Sequence, residues 1–241
     1  MAAADDPAPS RAWRHVLERI EADLLEGRVG PGDRLPPERE LATTLGVGRS
    51  SVREALRVLE VLGLIRTGTG SGPTAGAIII ATPRGAMSSV LRLQVAARAF
   101  PLDDVVRARV MIESAVVEEL AADPARSLDD VRTFLDAMDA PDLARAEFIA
   151  LDQQMHAALA EASGNVVIAA TMAGLRTAIE AYTQEGAVRI ADWDDTVVRL
   201  RREHHGIVDA VAAGDGAAAR ALVRDHITNY YAHAGLSRGD D

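Results

Sequence analysis

Two helix-forming stretches with a short break between them, within residues 35–65 (LPPERELATTLGVGRSSVREALRVLEVLGLI), constrain this chain more than any other segment. Pro36 and Pro37 suit a helix start, where a missing N–H costs nothing, and Glu38 and Glu40 suit the positive end of that helix. Leu41, Ala42 and Leu45 follow at helical spacing. Leu45-Gly46-Val47-Gly48 interrupts the pattern, and a second helix is expected from about Arg49 to Leu62, with Val52, Leu56 and Leu59 facing the first. Arg49, Arg53 and Arg57 form a separate stripe at every fourth residue. Like charges at that spacing weaken an isolated helix by roughly 0.2–0.5 kcal/mol per pair. The stripe makes sense if it meets phosphates and guanine edges in a DNA groove. The segment reads as a helix-turn-helix with residues 49–62 as recognition helix.

An arginine stripe alone also fits an ordinary surface helix, and the segment that follows narrows the choice. Leu64–Thr67 and Ala77–Ile80 are strand candidates, and Gly68–Pro73 between them is a flexible, glycine-rich tip. Two strands joined in this way after a recognition helix make a wing, whose tip glycines allow close backbone approach to phosphates. The residues L-P-P-E-R-E-L-A, then G-V-G-R-S-S-V-R-E-A-L-R-V-L-E, then G-L-I resemble the GntR family of winged-helix regulators. That resemblance implies DNA contacts from Arg39, from Arg49 and Arg53 with the neighbouring Ser50 and Ser51, and from the wing tip around Gly70. Some relatives carry a His or Lys at the tip, where this chain has only Thr69 and Ser71, which argues against base reading by the wing.

At 241 residues the chain has room for two domains. The formal net charge of −10 opposes DNA binding in general, but it is unevenly spread. Residues 1–82 hold ten arginines against eleven acids, and residues 83–241 hold sixteen against twenty-five. DNA binding must therefore rest on where the arginines stand. The absence of Cys excludes disulfides and thiolate metal sites and is compatible with a reducing cytoplasm, the expected location. No apolar run reaches membrane-spanning length, and MAAADDPAPS lacks the basic start and apolar core of a signal peptide.

The expected organisation is a flexible tail at 1–12, a winged helix-turn-helix at 13–81, a linker at 82–85 and an all-α domain at 86–235. The fold class is thus mainly α, with a small β-wing and a bundle of six or seven helices. Helical periods place the bundle helices at about 86–99, 102–121, 127–138, 142–162, 165–183, 192–213 and 215–234, with Gly186 among the punctuating residues.

Within that bundle, Asp152 and His156 lie four apart on one helix face. His204 and His226 each stand ten residues from the Gly214-Asp215-Gly216 turn, so both should sit about 15 Å from it, at one level of an antiparallel pair. One carboxylate and three imidazoles at one level suit Zn²⁺ or another borderline divalent metal, although each piece alone also fits a surface pair or a hydrogen-bonded core histidine. L-D-x-x-M-H followed by S-G-N, then R-x-E-H-x-x-I-x-x-A-x-x-A-G-D, then D-H-I are similar to the FCD effector domain of the FadR subgroup. The resemblance implies metal ligands at Asp152, His156, His204 and His226, with Zn²⁺ as first choice and Mn²⁺ or Ni²⁺ as alternatives. It also points Arg109, in R-V-M-I-E, into an effector cavity, where a guanidinium grips a carboxylate; the plain alternative is an exposed Arg109 paired with Glu113. Asn165 is a weaker pocket donor, because an Asn after Gly is also an ordinary helix cap. His205 reads as solvated or as a neighbour of the ligands, and His15 and His233 as unrelated.

Two functions fit these residues. One is a transcription factor, a repressor by expectation, that binds a palindromic double-stranded operator as a homodimer and responds to a small carboxylate. The other is a metal-dependent enzyme fused to a DNA-binding module, for which no separate general base can be named. Residues 50–83 resemble the branch of the family that governs L-lactate use, so a hydroxy acid is the first effector to consider, with pyruvate, glycolate, gluconate or a dicarboxylate behind it.

Overall fold

The computed structural model describes residues 9–68, 76–80 and 89–236 except 92, 96 and 98, and these divide between two compact units, 1–86 and 87–241. The linker expected at 82–85, most of the tail and the wing tip lie outside the described residues.

In the first unit, α1 (Pro9–Leu25), α2 (Glu38–Leu45) and α3 (Arg49–Val61) precede two strands, β1 (Ile65–Gly68) and β2 (Gly76–Ile79). The turn between α2 and α3 closes at Gly46, whose φ of 65° is left-handed and suits glycine. Val16 and Ile20 of α1, Leu41 of α2 and Val52, Leu56 and Leu59 of α3 bury one shared core with Ile65 and Ile79. The strands pair antiparallel, Ile65 opposite Ile79 and Gly68 opposite Gly76, each one residue away from the span expected by sequence. Thr67 secures the wing to α3, because both its N–H and its hydroxyl donate to Glu60 Oε1, at 2.9 and 2.6 Å.

The second unit is helical throughout its named elements: α4 (Leu102–Ala122), α5 (Asp129–Met138), α6 (Arg145–Ala162), α7 (Val166–Arg189), α8 (Trp193–Ala212) and α9 (Gly216–His233). Residues 89–91 and 93–95 are also helical, within the span expected at 86–99. Helix α4 packs against α6, α7, α8 and α9, and so forms the axis around which the others stand. Their shared core runs through Phe148, Met155, Leu159, Leu200, Ile207, Ile227 and Tyr231. One expected boundary is wrong: Gly186 does not end α7, which continues to Arg189. A side chain on Gly186 would come within 2.9 Å of Ala234 Cβ and 2.6 Å of Leu236 Cδ1, so the glycine serves close packing and not termination. The Gly214 turn does fold α8 and α9 against each other, with φ of 76° at Gly214 and the Asp215 side chain accepting from Ala218 N–H at 2.9 Å. Among the described residues no helix is long and apolar enough to cross a membrane.

Candidate functional site

On α3 the buried stripe of Val52, Ala55, Leu56 and Leu59 turns Arg49, Ser50, Arg53 and Arg57 to the surface. Arg39 on α2 is exposed as well. Four of the residues expected at DNA, Arg39, Arg49, Ser50 and Arg53, are thus surface groups of the two-helix unit. Ser51 is not one of them: it is 8% exposed and belongs to the buried side of α3, because it lies about 100° around the helix from Ser50. Gly70 lies outside the described residues.

The second constellation sits inside the bundle. Helix α6 supplies Asp152 and His156, α8 supplies His204, and α9 supplies His226. The three histidines are 0–4% exposed, and the Asp152 side chain keeps 13%. Their ligand atoms lie within 4.8 Å of one another. His156 Nε2 is 3.2 Å from His226 Nε2, which is 3.3 Å from His204 Nε2. Asp152 Oδ1 stands 2.8 Å from His204 Nε2 and 3.8–3.9 Å from the other two. Tetrahedral coordination at about 2.0–2.1 Å separates ligand atoms by about 3.3–3.4 Å, so this donor set fits a divalent ion.

The far sides of two rings explain why those nitrogens face inward. His156 Nδ1 is 2.5 Å from Glu113 Oε2, and His226 Nδ1 is 2.9 Å from Glu203 Oε2. A carboxylate accepts only, so each ring carries its proton on Nδ1 and turns a bare Nε2 lone pair toward its neighbours. Facing lone pairs repel, and a cation between them removes the repulsion. His204 has Phe148 beside it, ring centroids 6.3 Å apart, and Trp193 meets Phe148 edge-on. Burial alone would raise the Asp152 carboxyl; the hydrogen bond from His204 and the nearby imidazoles outweigh it and hold the acid ionised. Burial pushes the His226 imidazole down to about 4, and the neighbouring His204 adds to the effect.

Arg109 is buried at 5% exposure, yet it does pair with Glu113 one turn on: its Nε donates to Glu113 Oε1 at 2.5 Å. It also lines a small cavity together with Gln153, His156 and Arg176, so the two readings of this arginine describe one position. Glu113 links Arg109 to His156, and Glu203 links Arg199 to His226, with Arg199 Nη1 at 2.9 Å. Asn165 departs from expectation. It is exposed, its Oδ1 accepts from Val167 and Ile168 N–H at 3.1 and 3.2 Å, and it caps α7 and does not line the cavity. His205 contacts Asp139 at 2.7 Å on the surface, and His233 bonds the Asn229 carbonyl of its own helix.

Sequence reasoning left Glu113, Glu203 and Gln153 without roles. For Glu113 the signal was present: Val105, Arg109 and Glu113 recur every fourth residue in a stripe that continues through Val116, Val117 and Leu120. A charged pair in an apolar stripe is buried and must serve something inside.

Comparison with known proteins agrees with this architecture. Residues 13–74 match the gntR family of bacterial regulatory proteins, and residues 104–229 match the FCD domain. The chain is a GntR-family transcriptional regulator with an FCD domain. It is 30% identical to the HTH-type transcriptional regulator LutR of Bacillus subtilis (strain 168) over 210 residues, 86% of this chain and 93% of that one. It is 28% identical over 237 residues to a protein of Escherichia coli (strain K12) whose name assigns it to regulation of the L-lactate dehydrogenase operon, covering 97% and 89%. A Streptococcus agalactiae GntR structure has the same fold, with a TM-score of 0.53 and 22% identity over 90% of this chain and 98% of that one. These relatives are regulators of transcription, and the GntR-family chain is a DNA-binding regulator and not an enzyme.

Proposed function

We propose that this regulator binds a palindromic operator as a homodimer and represses from it until a small carboxylate, L-lactate or a similar hydroxy acid, occupies the bundle. Asp152, His156, His204 and His226 would hold one divalent ion, Zn²⁺ ahead of Mn²⁺ or Ni²⁺, and Arg109 would grip the carboxylate. When bound, the ion supplies a Lewis-acidic anchor for a carboxylate or hydroxyl oxygen. The observation that carries the reading is the convergence of three imidazole nitrogens and one carboxylate oxygen beside a cavity that Arg109 lines. Lactate stands first because a relative aligned over nearly the whole chain is named for the L-lactate dehydrogenase operon.

Dimerisation follows from the reach of one recognition helix, which covers only a few base pairs, so that useful specificity needs two half-sites. Arg39, Arg49, Ser50 and Arg53 would meet the DNA. The domain division expected from the sequence, 13–81 for DNA and 86–235 for metal and effector, is part of the same proposal. Elemental analysis of purified protein, followed by a thermal-shift screen of metabolic acids, tests it. The expected result is about one metal per chain, lost in the His156→Ala/His204→Ala double variant, and stabilisation by a hydroxy acid that needs the metal. Full occupancy in the double variant, or no response to any hydroxy or keto acid, would overturn it.

A further inference from the structure

Arginines that sink partly into the helical unit are tied down there by bonds. Arg109 bonds Glu113, and Arg199 bonds Glu203 at 2.9 Å. Arg126 bonds the Ser163 carbonyl, Arg145 the Ala187 carbonyl, and Arg201 the Met138 and Ala140 carbonyls. Arg176 on α7 is half-buried like most of these, yet it has no such bond among the described residues, and its Nε is buried without an acceptor.

This untied side chain stands between two spaces. One is the cavity beside His156, which Arg109 and Gln153 also line; at about 10 Å³ it has room for about one water. A single water there can bridge Arg176 Nε to Gln153 Oε1, but a water exchanges and is no fixed anchor. The other is a pocket of about 300 Å³ whose wall includes the exposed Asp130, Thr133, Gln154 and Glu161. Only the second has the size of a small-molecule site. Arg176 and Ala157 line both, so the partition is one arginine arm laid beside one methyl group.

We propose that Arg176 is a gate between solvent and the buried cluster. In its present pose the arm closes the inner cavity. Turned outward, its guanidinium meets the carboxylates of Asp130 and Glu161, and the two spaces join into one chamber that reaches His156 and Arg109. A small acid anion then reaches the cluster by way of the outer pocket. This rests on the reading of the cluster as a metal- and acid-binding site, and it explains how an acid enters a cavity that is closed to it. Neither pose is strongly held: the inward one gives Nε no protein acceptor, and the outward one forms exposed ion pairs, which are worth little. A single side chain can therefore turn without unfolding its surroundings.

The probe is dipicolinate, a small diacid that takes up divalent metals. Metal-loaded full chain is mixed with it at high salt, where long-range charge effects are screened, and the absorbance of the metal complex is followed. The rate of metal loss should rise with probe concentration. Arg176→Ala removes the arm and should raise that rate about tenfold or more. Arg176→Met keeps the length without the charge that draws the arm outward, and should be no faster than wild type. Asp130→Asn/Glu161→Gln should slow the loss, the opposite of what fewer negative charges would do to an approaching anion; this variant carries the test if Arg176→Ala does not fold. Metal affinity at equilibrium should stay within about twofold in all three, because none of these residues is a ligand. An Arg176→Ala rate no higher than wild type, an Arg176→Met rate equal to a raised Arg176→Ala rate, or a faster Asp130→Asn/Glu161→Gln variant would overturn the gate. Unchanged rates in loaded protein remove only the gate. A chain that takes up no metal removes the reading of the cluster, and this inference with it.

Discussion

Glu113→Gln keeps the size of a side chain that is 1% exposed and removes its charge, with Arg109 Nε on one side and His156 Nδ1 on the other, each at 2.5 Å. Burial pushes this carboxyl up, but Arg109 and His156 hold it down to about 2, against 4.5 ordinarily. That drop corresponds to about 3 kcal/mol of stability. Because the folded-state value lies below the unfolded one, the contribution is fully present above about pH 4.5 and is lost as pH falls toward 2. The substitution removes it at every pH and takes from Arg109 the carboxylate it is bonded to; breaking a buried pair in this way costs about 3–5 kcal/mol. The retained amide oxygen can still accept from one neighbour, which places the expected loss near about 3 kcal/mol. Arg109→Met in the Glu113→Gln background removes that guanidinium, so the double variant should be more stable than the sum of the two losses by about 1–3 kcal/mol. Urea unfolding of the chelated protein at pH 7, followed by circular dichroism, measures all three variants. Glu113 also orients His156, so metal affinity should fall about 10–100-fold. A loss under about 1 kcal/mol with wild-type metal affinity, or strictly additive losses, would refute the reasoning.

Arg49→Ala and Arg53→Ala should each weaken binding to a palindrome selected from random duplexes by about 1–3 kcal/mol, read by fluorescence anisotropy; wild-type binding by both would remove the recognition-helix assignment. In chelated protein, burial holds His226 at about 4 against 6.5 ordinarily, so the unfolded chain takes up its proton first as pH falls. Stability should be greatest above about pH 6.5 and decline by about 3 kcal/mol toward pH 4, and flat melting temperatures across that window would contradict it. Gly186→Ala should destabilise the bundle by about 1–3 kcal/mol in urea, because its methyl would press on Ala234 and Leu236, and a neutral result would mean that α7 and the C-terminal segment are not in contact there.

The helix-turn-helix was legible because three independent signals coincide in it: proline and acid at the start of α2, glycine in the turn, and an apolar face separate from the arginine face in α3. The meeting of His204 and His226 was legible from spacing, since two helices that reverse at one turn place equidistant residues side by side. Ser51 was misplaced because neighbours in a motif share a sequence position and not a helix face. Asn165 was ambiguous for the reason the structure shows, that a cap and a pocket donor require the same amide. Gln153 was invisible: nothing local distinguishes it from Gln154, and its amide is fixed by a threonine thirty residues away.

Under the proposed function, acid at the bundle's Asp152, His156, His204 and His226 cluster alters the hold of the winged helices on DNA. An effector can do this only by favouring one arrangement of the dimer over the other. Fluorescence anisotropy of a labelled operator, titrated with metal-loaded or chelated protein with and without L-lactate, measures that coupling directly. The acid should weaken operator binding at least tenfold, about 1.4 kcal/mol, in the metal-loaded protein and leave the chelated protein unaffected. Operator affinity that is the same with and without hydroxy acids in the metal-loaded protein, or an equal acid effect after chelation, would contradict it.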